Sequence, residues 1–367
     1  MVRAFLPMKN ITRIINTLIT RRLVFVFDKV EFSYTCLSFK RLKNWFLAEI
    51  AYRLKLVNVP AYPTHLQVEP SNICNLRCPL CHVVTDHKPR GYLQLEDFKK
   101  LMDEVGDYLL FLHFWGWGEP FMNSDFFSMI RYAKSKGLKI ITSTNGHFFE
   151  DDKNIDQLID SGLDVLIFAL DGLDEKTYEQ YRAQGDLQKA MRGLKRLLER
   201  RRQRGALFPR VNLRMLVTRD NEGQVETMKE FARESGADIF SLKTMCGFDN
   251  SAEAGERLPC NREYRRFEYD DFGKPIRKKN RCKKMWNHPT VYLDGSVVPC
   301  DYYTGEELFL GKVFPASGGD FWRVWNGEDY KRLRRRFLKG DTRDFRCGHC
   351  AMNYADVDRC VSHAFKI

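Results

Sequence analysis

The chain has 367 residues, 44% of them hydrophobic, which is enough for a sizeable core and more than one average domain. No apolar run approaches the ~20 residues that span a bilayer; the strongest near the N-terminus, Leu23 to Phe27, is short and follows Arg21 and Arg22. The formal net charge is +12, and most of the excess sits in the first 60 residues, which hold 11 Lys and Arg against 3 Asp and Glu.

Two stretches of that basic extension, Ile11 to Leu23 and Phe39 to Leu56, mix apolar residues with Lys and Arg as amphipathic helices do. Packing on the main domain with a solvated basic face is the favoured reading. The alternative is contact with an acidic partner or, peripherally, with the inner face of an anionic membrane. Nucleic acid is not expected as a partner, because no aromatic-rich single-strand platform or DNA-binding motif accompanies the charge.

From residue 61 short apolar runs alternate with longer amphipathic segments, the pattern of βα units and a parallel sheet. Six strands are predicted: Thr64 to Glu69, Leu109 to Trp115, Leu138 to Ser143, Asp164 to Leu170, Arg210 to Val217 and Asp238 to Lys243. Helices are predicted between them at Leu95 to Asp107, Ser124 to Ser135, Asn154 to Ser161, Asp186 to Arg202 and Glu222 to Ser235. Past about residue 250 the alternation stops. The expected elements there are a hairpin, Thr290 to Pro299, turning at Asp294-Gly295 as a type I′ turn, and a helix from about Phe321 to Leu338.

This predicts an α/β fold, a partial (β/α)6 TIM-like barrel over 61–250. An N-terminal helical extension (1–60) precedes it and a small cysteine-rich α+β module (251–367) follows. In such barrels chemistry collects at the C-terminal ends of the strands. Four successive ends carry it here: a cysteine loop, Gly116-Trp117-Gly118-Glu119-Pro120, Ser143-Thr144-Asn145-Gly146, and Asp171-Gly172.

The loop after the first strand holds Cys74, Cys78 and Cys81 in a CxxxCxxC spacing. Three soft thiolates can hold iron or zinc but leave a four-coordinate site one ligand short. A zinc knuckle would recruit His82 as the fourth; an iron–sulfur cluster would keep one iron open for a chelating ligand. A second set, Cys282, Cys300, Cys347 and Cys350, suits zinc or a fully ligated cluster. With seven of the 11 cysteines in metal-ligand spacings and no signal-peptide pattern, a reducing cytoplasm is expected rather than a disulfide framework. Cys36, Cys246, Cys260 and Cys360 are expected to be free buried thiols, with Cys360 a competitor for the second site.

The first motif resembles the signature of the radical SAM superfamily, and the resemblance extends over about residues 61 to 245. It implies a 4Fe-4S cluster on Cys74, Cys78 and Cys81 whose open iron binds S-adenosylmethionine. Reductive cleavage would then give a 5′-deoxyadenosyl radical that removes a substrate hydrogen atom, with an electron donor such as flavodoxin or ferredoxin. Gly116, Trp117, Gly118 and Glu119 are similar to the family's GGEP motif, implied to hold the amino end of the cosubstrate. Ser143 and Asn145 match its ribose contacts and Arg182 the partner of its carboxylate. Ala169 departs from the pattern, where many relatives carry Ser.

The second cysteine set resembles the SPASM and twitch modules of the same superfamily, which implies one auxiliary 4Fe-4S cluster on Cys282, Cys300, Cys347 and Cys350. If it accepts an electron from the substrate radical, a base must take a proton. Lys243, Cys246, Asp301 and Tyr302 are the candidates by position. The expected substrate is a small molecule, such as a sugar, glycan or other metabolite. The alternatives are maturation of a peptide or protein and, from another class, a non-catalytic zinc protein that binds nucleic acid.

Overall fold

The computed structural model describes residues 8–85, 89–245, 255–270, 275–278, 282–302, 309–314, 320–342, 346–348, 350–354 and 360–367. The basic extension folds as α1 (Met8–Thr20), β1 (Leu23–Phe27), β2 (Val30–Tyr34) and α2 (Phe39–Arg53). The two expected helices are present. Between them the apolar run after Arg22 forms an antiparallel hairpin with β2, so the extension is not wholly helical. Its turn residues Asp28 and Lys29 are both left-handed, at φ 49° and 61°, the backbone of a type I′ turn. Alternation explains the hairpin: Leu23, Val30 and Phe32 are buried while Val24 and Val26 face out.

The barrel follows in the order β3 (His65–Val68), α3 (His82–Thr85), α4 (Leu95–Val105), β4 (Phe111–His113), α5 (Phe126–Ser135), β5 (Lys139–Thr144), α6 (Asp152–Asp160), β6 (Val165–Ala169), α7 (Glu175–Tyr181), α8 (Leu187–Gln203), β7 (Arg210–Val217), α9 (Val225–Ser235) and β8 (Ile239–Thr244). All six predicted strands form, and β3 to β8 pair in parallel in sequence order. The strands read as near-continuous apolar runs because both faces are covered. Leu112, Phe114, Ile140, Leu166, Phe168, Leu213, Met215 and Phe240 pack outward against helices. Phe111, Ile141, Val165, Ile167 and Ile239 point into the lumen.

The lumen is filled from its lower end by the N-terminal hairpin. Phe25, Phe27 and Phe32 stack edge-on or tilted against Phe111 of β4 at 4.8–5.5 Å between ring centroids. Buried aromatic contacts of this kind add about 0.5–1.5 kcal/mol each beyond the area they cover.

The C-terminal segment supplies α10 (Lys284–Asn287), β9 (Thr290–Val291), β10 (Val297–Val298), α11 (Phe321–Trp325), α12 (Glu328–Lys339) and β11 (Val361–Lys366). It extends the barrel sheet at both edges: β9 pairs in parallel with β3, and β11 runs antiparallel to β8, giving the order β10-β9-β3-β4-β5-β6-β7-β8-β11. The β9–β10 hairpin forms as expected, but only Gly295 is left-handed, at φ 80°. With Gly295 N–H donating to Tyr292 O, the connection is a type I turn followed by a left-handed glycine rather than type I′.

The single helix expected over Phe321 to Leu338 is two. Asn326 caps the first and accepts from Val59 N–H through its side chain, and Gly327 starts the second. Arg334, fully buried, donates to Val57, Met285 and Trp325 carbonyls, and Trp286 and Trp325 donate to Leu56 O and Ala61 O. These side chains fasten the C-terminal segment to the connection between α2 and β3.

Candidate functional site: two cysteine sets around one lumen

A cavity of about 340 Å³ occupies the upper lumen. Cys74, Cys78, Cys81, Gly116 to Glu119, Ser143, Asn145, Ala169 and Arg182 line it, so the structure brings together every residue that the sequence assigned to cluster and cosubstrate at the barrel. Lys243, Asp301 and Tyr302 line it as well. Cys246 lies outside the described residues.

The rim is built by backbone contacts that only small residues allow. A side chain on Gly118 would put its Cβ 2.4 Å from Ser71 O, and one on Gly116 would strike Glu69 at 2.5 Å. Gly118 and Glu119 donate through their amides to Ser71 O and Ile73 O, so the loop after β4 is laced to the cysteine loop. Trp117 packs edge-on against His82 and against the Tyr292–Val298 cluster on which Cys300 also packs, while its carbonyl accepts from Cys81 Sγ at 3.7 Å. It fills the rim between the two cysteine sets.

Glu119 is buried, and its carboxylate accepts Phe121 N–H and Asn145 N–H. Burial pushes its pKa up to about 7. Asn145 Nδ2 donates to Asn75 Oδ1 at 2.8 Å and approaches Cys74 Sγ at 3.9 Å, so this side chain orients the cysteine loop. Arg182 caps α7 and its Nε pairs at 2.6 Å with Asp171, which is fully buried and also accepts Leu216 N–H.

The donor set fits iron–sulfur ligation. All described cysteines are free thiols. Cys74, Cys282 and Cys350 each accept a backbone N–H from two residues on, at 3.4–3.5 Å, the contacts that stabilise and tune a bound thiolate. Burial raises the pKa of Cys74 and of Cys350 to about 11 and raises Cys78, Cys81, Cys282, Cys300 and Cys347 as well. These thiols therefore lose their protons to a metal rather than to water. Cys282 and Cys350 both lie close enough to raise Cys300 and Cys347 electrostatically, so the second set is also gathered. Among the described residues no three His, Cys, Asp or Glu side chains converge tightly enough to share one metal ion, whereas each cysteine of a cluster has only to reach its own iron.

The leftover cysteines differ from expectation. Cys36 and Cys260 are exposed, not buried, because their segments lie on the surface. Cys360 is part-buried and lines the lumen where β11 joins the sheet.

Sequence reasoning missed the lower half of the site. Phe27 and Asp28 enter the cavity from the N-terminal hairpin, Gln67 and His113 from strand interiors, Arg214 from β7 and Lys284 from the start of α10. The available signal was polarity: Gln67, His113 and Arg214 are polar residues within mostly apolar strands. Arg214 donates to Asp28 at 2.7 Å and to Ser241 Oγ at 3.1 Å, and Lys284 is ion-paired with Asp301.

Comparison with known proteins agrees with this geometry. Residues 68–232 match the radical SAM superfamily and residues 282–351 an iron–sulfur cluster-binding domain, SPASM. The chain is 26% identical to a tungsten-containing aldehyde ferredoxin oxidoreductase cofactor-modifying protein of Pyrococcus furiosus, over 74% of this chain and 83% of that one. It is 25% identical to an AdoMet-dependent heme synthase of Oleidesulfovibrio alaskensis (77% and 78% covered) and 27% identical to a mycofactocin maturase of Mycolicibacterium smegmatis (78% and 76% covered). The fold is similar to that of Streptococcus suis SuiB bound to S-adenosylmethionine, with a TM-score of 0.57 at 16% identity over 74% of this chain and 68% of that one. These matches set aside the non-catalytic zinc alternative. The chain belongs to the radical SAM superfamily, as an enzyme that binds a 4Fe-4S cluster, S-adenosylmethionine and auxiliary iron–sulfur at a SPASM domain.

Proposed function

We propose that this enzyme oxidises a small polar metabolite held in the lumen; the first cluster with S-adenosylmethionine would supply the radical that takes a hydrogen atom, and one auxiliary cluster would supply the electron acceptor. The observation that carries the reading is that one cavity is lined by the first cysteine set and by close sequence neighbours of the second. Cys74, Cys78 and Cys81 line it from the barrel, and Lys284, Asp301 and Tyr302, neighbours of Cys282 and Cys300, line it from the other side. When bound, the cluster and S-adenosylmethionine supply a 5′-deoxyadenosyl radical.

The chain's own residues orient and shield. Cys74, Cys78 and Cys81 are the ligands we assign to the first cluster, and Cys282, Cys300, Cys347 and Cys350 to the auxiliary one. The Gly116 to Glu119 loop, Ser143, Asn145 and Arg182 surround the cosubstrate. The hairpin excludes water from below. Asp301, held at the wall by Lys284, takes the proton released when the substrate radical gives up its electron. The hydrogen atom leaves on 5′-deoxyadenosine, and the product gains a carbonyl or a double bond.

A peptide substrate is the second reading, favoured by similarity to the mycofactocin maturase. A peripheral membrane contact is supported by exposed Ile15, Leu18 and Ile19 on α1 beside Arg13, Arg21 and Arg22. No helix among the described residues is long and apolar enough to cross a membrane. Retention on anionic vesicles at physiological salt, lost in Ile15→Ser/Ile19→Ser, is the expected result; indifference to vesicles refutes the contact.

The function is tested by anaerobic reconstitution with iron and sulfide analysis and a cleavage assay. About eight irons should fall to about four when Cys74, Cys78 and Cys81 become Ala, and 5′-deoxyadenosine should form only with the unaltered enzyme. Zinc without cleavage would refute it.

A further inference from the structure

Gln67 and His113 are direct register partners across β3 and β4, and both line the cavity. Their side chains are more than nine-tenths buried, at 7% and 4% exposure. Yet Gln67 Oε1 and both ring nitrogens of His113 have no hydrogen-bond partner among the described residues. Interiors rarely leave such atoms unmatched, because each weakens the fold. Two adjacent residues in that condition, both facing the same cavity, mark a place where a ligand supplies the missing partners.

The demand of these atoms is specific. Burial, with the nearby His288, Lys284, Lys243 and Arg214, holds the pKa of His113 well below the usual histidine range, so its ring is neutral. A neutral imidazole presents one donor and one acceptor, and an amide oxygen is an acceptor only. Together they require two donors and one acceptor from the ligand. A carboxylate or phosphate offers no donor and an ammonium no acceptor. Neighbouring hydroxyl groups offer both.

The surroundings suit the rest of such a molecule. Trp115 lies edge-on against His113, and Phe27 at the end of β1 lies edge-on to both His113 and Trp115. Both line the cavity and add apolar ring surface to its wall. The Asp28–Arg214 pair closes the lower end with further donors and acceptors. Gln67 and His113 stand two residues below Glu69 and Trp115, deeper than the cysteine loop.

We infer that Gln67 and His113 form a subsite for adjacent hydroxyl groups of a carbohydrate or cyclitol substrate, with Trp115 and Phe27 against its ring. This deepens the small-metabolite reading and rests on it.

The test uses the reconstituted holoprotein with S-adenosylmethionine bound and titrates it calorimetrically with myo-inositol, D-glucose and cyclohexanol, the last having a ring but one hydroxyl. At least one polyol should bind at millimolar concentration or better, and cyclohexanol should bind at least about tenfold more weakly. Gln67→Leu and His113→Phe should each weaken polyol binding about tenfold or more while keeping full iron content and a Tm equal to or a few degrees above that of the parent, since an unmatched polar group is removed. Three results would overturn the inference: no binding of either polyol, equal binding of cyclohexanol, or a marked fall in Tm and iron in both variants, which would make the two side chains structural. If the parent cleaves S-adenosylmethionine and binds no polyol, this inference fails alone; if it binds polyol and never cleaves, the functional reading fails and the subsite stands.

Discussion

Asp28, at the turn of the N-terminal hairpin, meets Arg214 of β7 at 2.7 Å across 186 residues of chain. Arg214 is almost entirely buried, and its Nε is held by Ser241. The pair therefore ties the extension to the barrel wall at the bottom of the cavity, and it leaves Arg214 neutralised. Breaking one half of a buried pair strands the other charge, which costs more than losing the pair as a whole. Asp28→Ala should lower stability by about 3 kcal/mol, and Asp28→Ala/Arg214→Met should recover most of it. Thermal unfolding of the two variants at equal iron content measures this; an equal loss in both would show that the pair is not what holds the hairpin.

His65 gives the fold a pH dependence. It is buried beside Phe25, Phe111 and His288, and burial brings its pKa from 6.5 down to about 3. Below pH 6.5 the unfolded chain takes up a proton that the folded chain refuses, so stability falls as pH drops from about 6.5 toward 3, by about 1.4 kcal/mol per unit. His113, also held low by burial, acts in the same direction. Glu119 acts oppositely between about 7 and 4.5, because its folded carboxyl protonates first. His65→Phe should make the fall of Tm with decreasing pH shallower between pH 6.5 and 4.5. An unchanged slope in scans at several pH values would refute this.

Gly118 stands where two loops touch. Its Cβ in Gly118→Ala would lie 2.4 Å from Ser71 O and 2.7 Å from Ile73 O, so the rim must move outward. Displacement of about 1 Å at a reacting centre costs on the order of 10²-fold. The variant should keep its auxiliary iron and lose about that factor in S-adenosylmethionine cleavage. Cleavage within about threefold of the parent would show that the close approach is not needed.

Asp301→Asn tests the proton acceptor. The substitution keeps size and removes the charge paired with Lys284. Oxidised product should fall by about 10²-fold or more. Hydrogen-atom removal precedes proton transfer, so deuterium from labelled substrate should still reach 5′-deoxyadenosine. Loss of that transfer together with product would place Asp301 in substrate or cosubstrate binding instead.

The sequence by itself determined the class of this protein. The βα alternation is a local periodicity, legible within each window of about ten residues. The cysteine spacings, the Gly116 to Glu119 loop and the polar strand ends follow their strands directly, so they arrive at one rim once the strands are parallel. Tertiary structure decided the rest. Nothing local in Leu23 to Tyr34 says that the hairpin fills a lumen formed by strands far along the chain, because that choice depends on Phe25, Phe27 and Phe32 finding Phe111. The Asp28–Arg214 pair and the row of Gln67 with His113 exist only after strand order and register are set. The lower cavity was hidden for that reason: its residues belong to no motif, and they become neighbours through long-range pairing that sequence spacing does not encode.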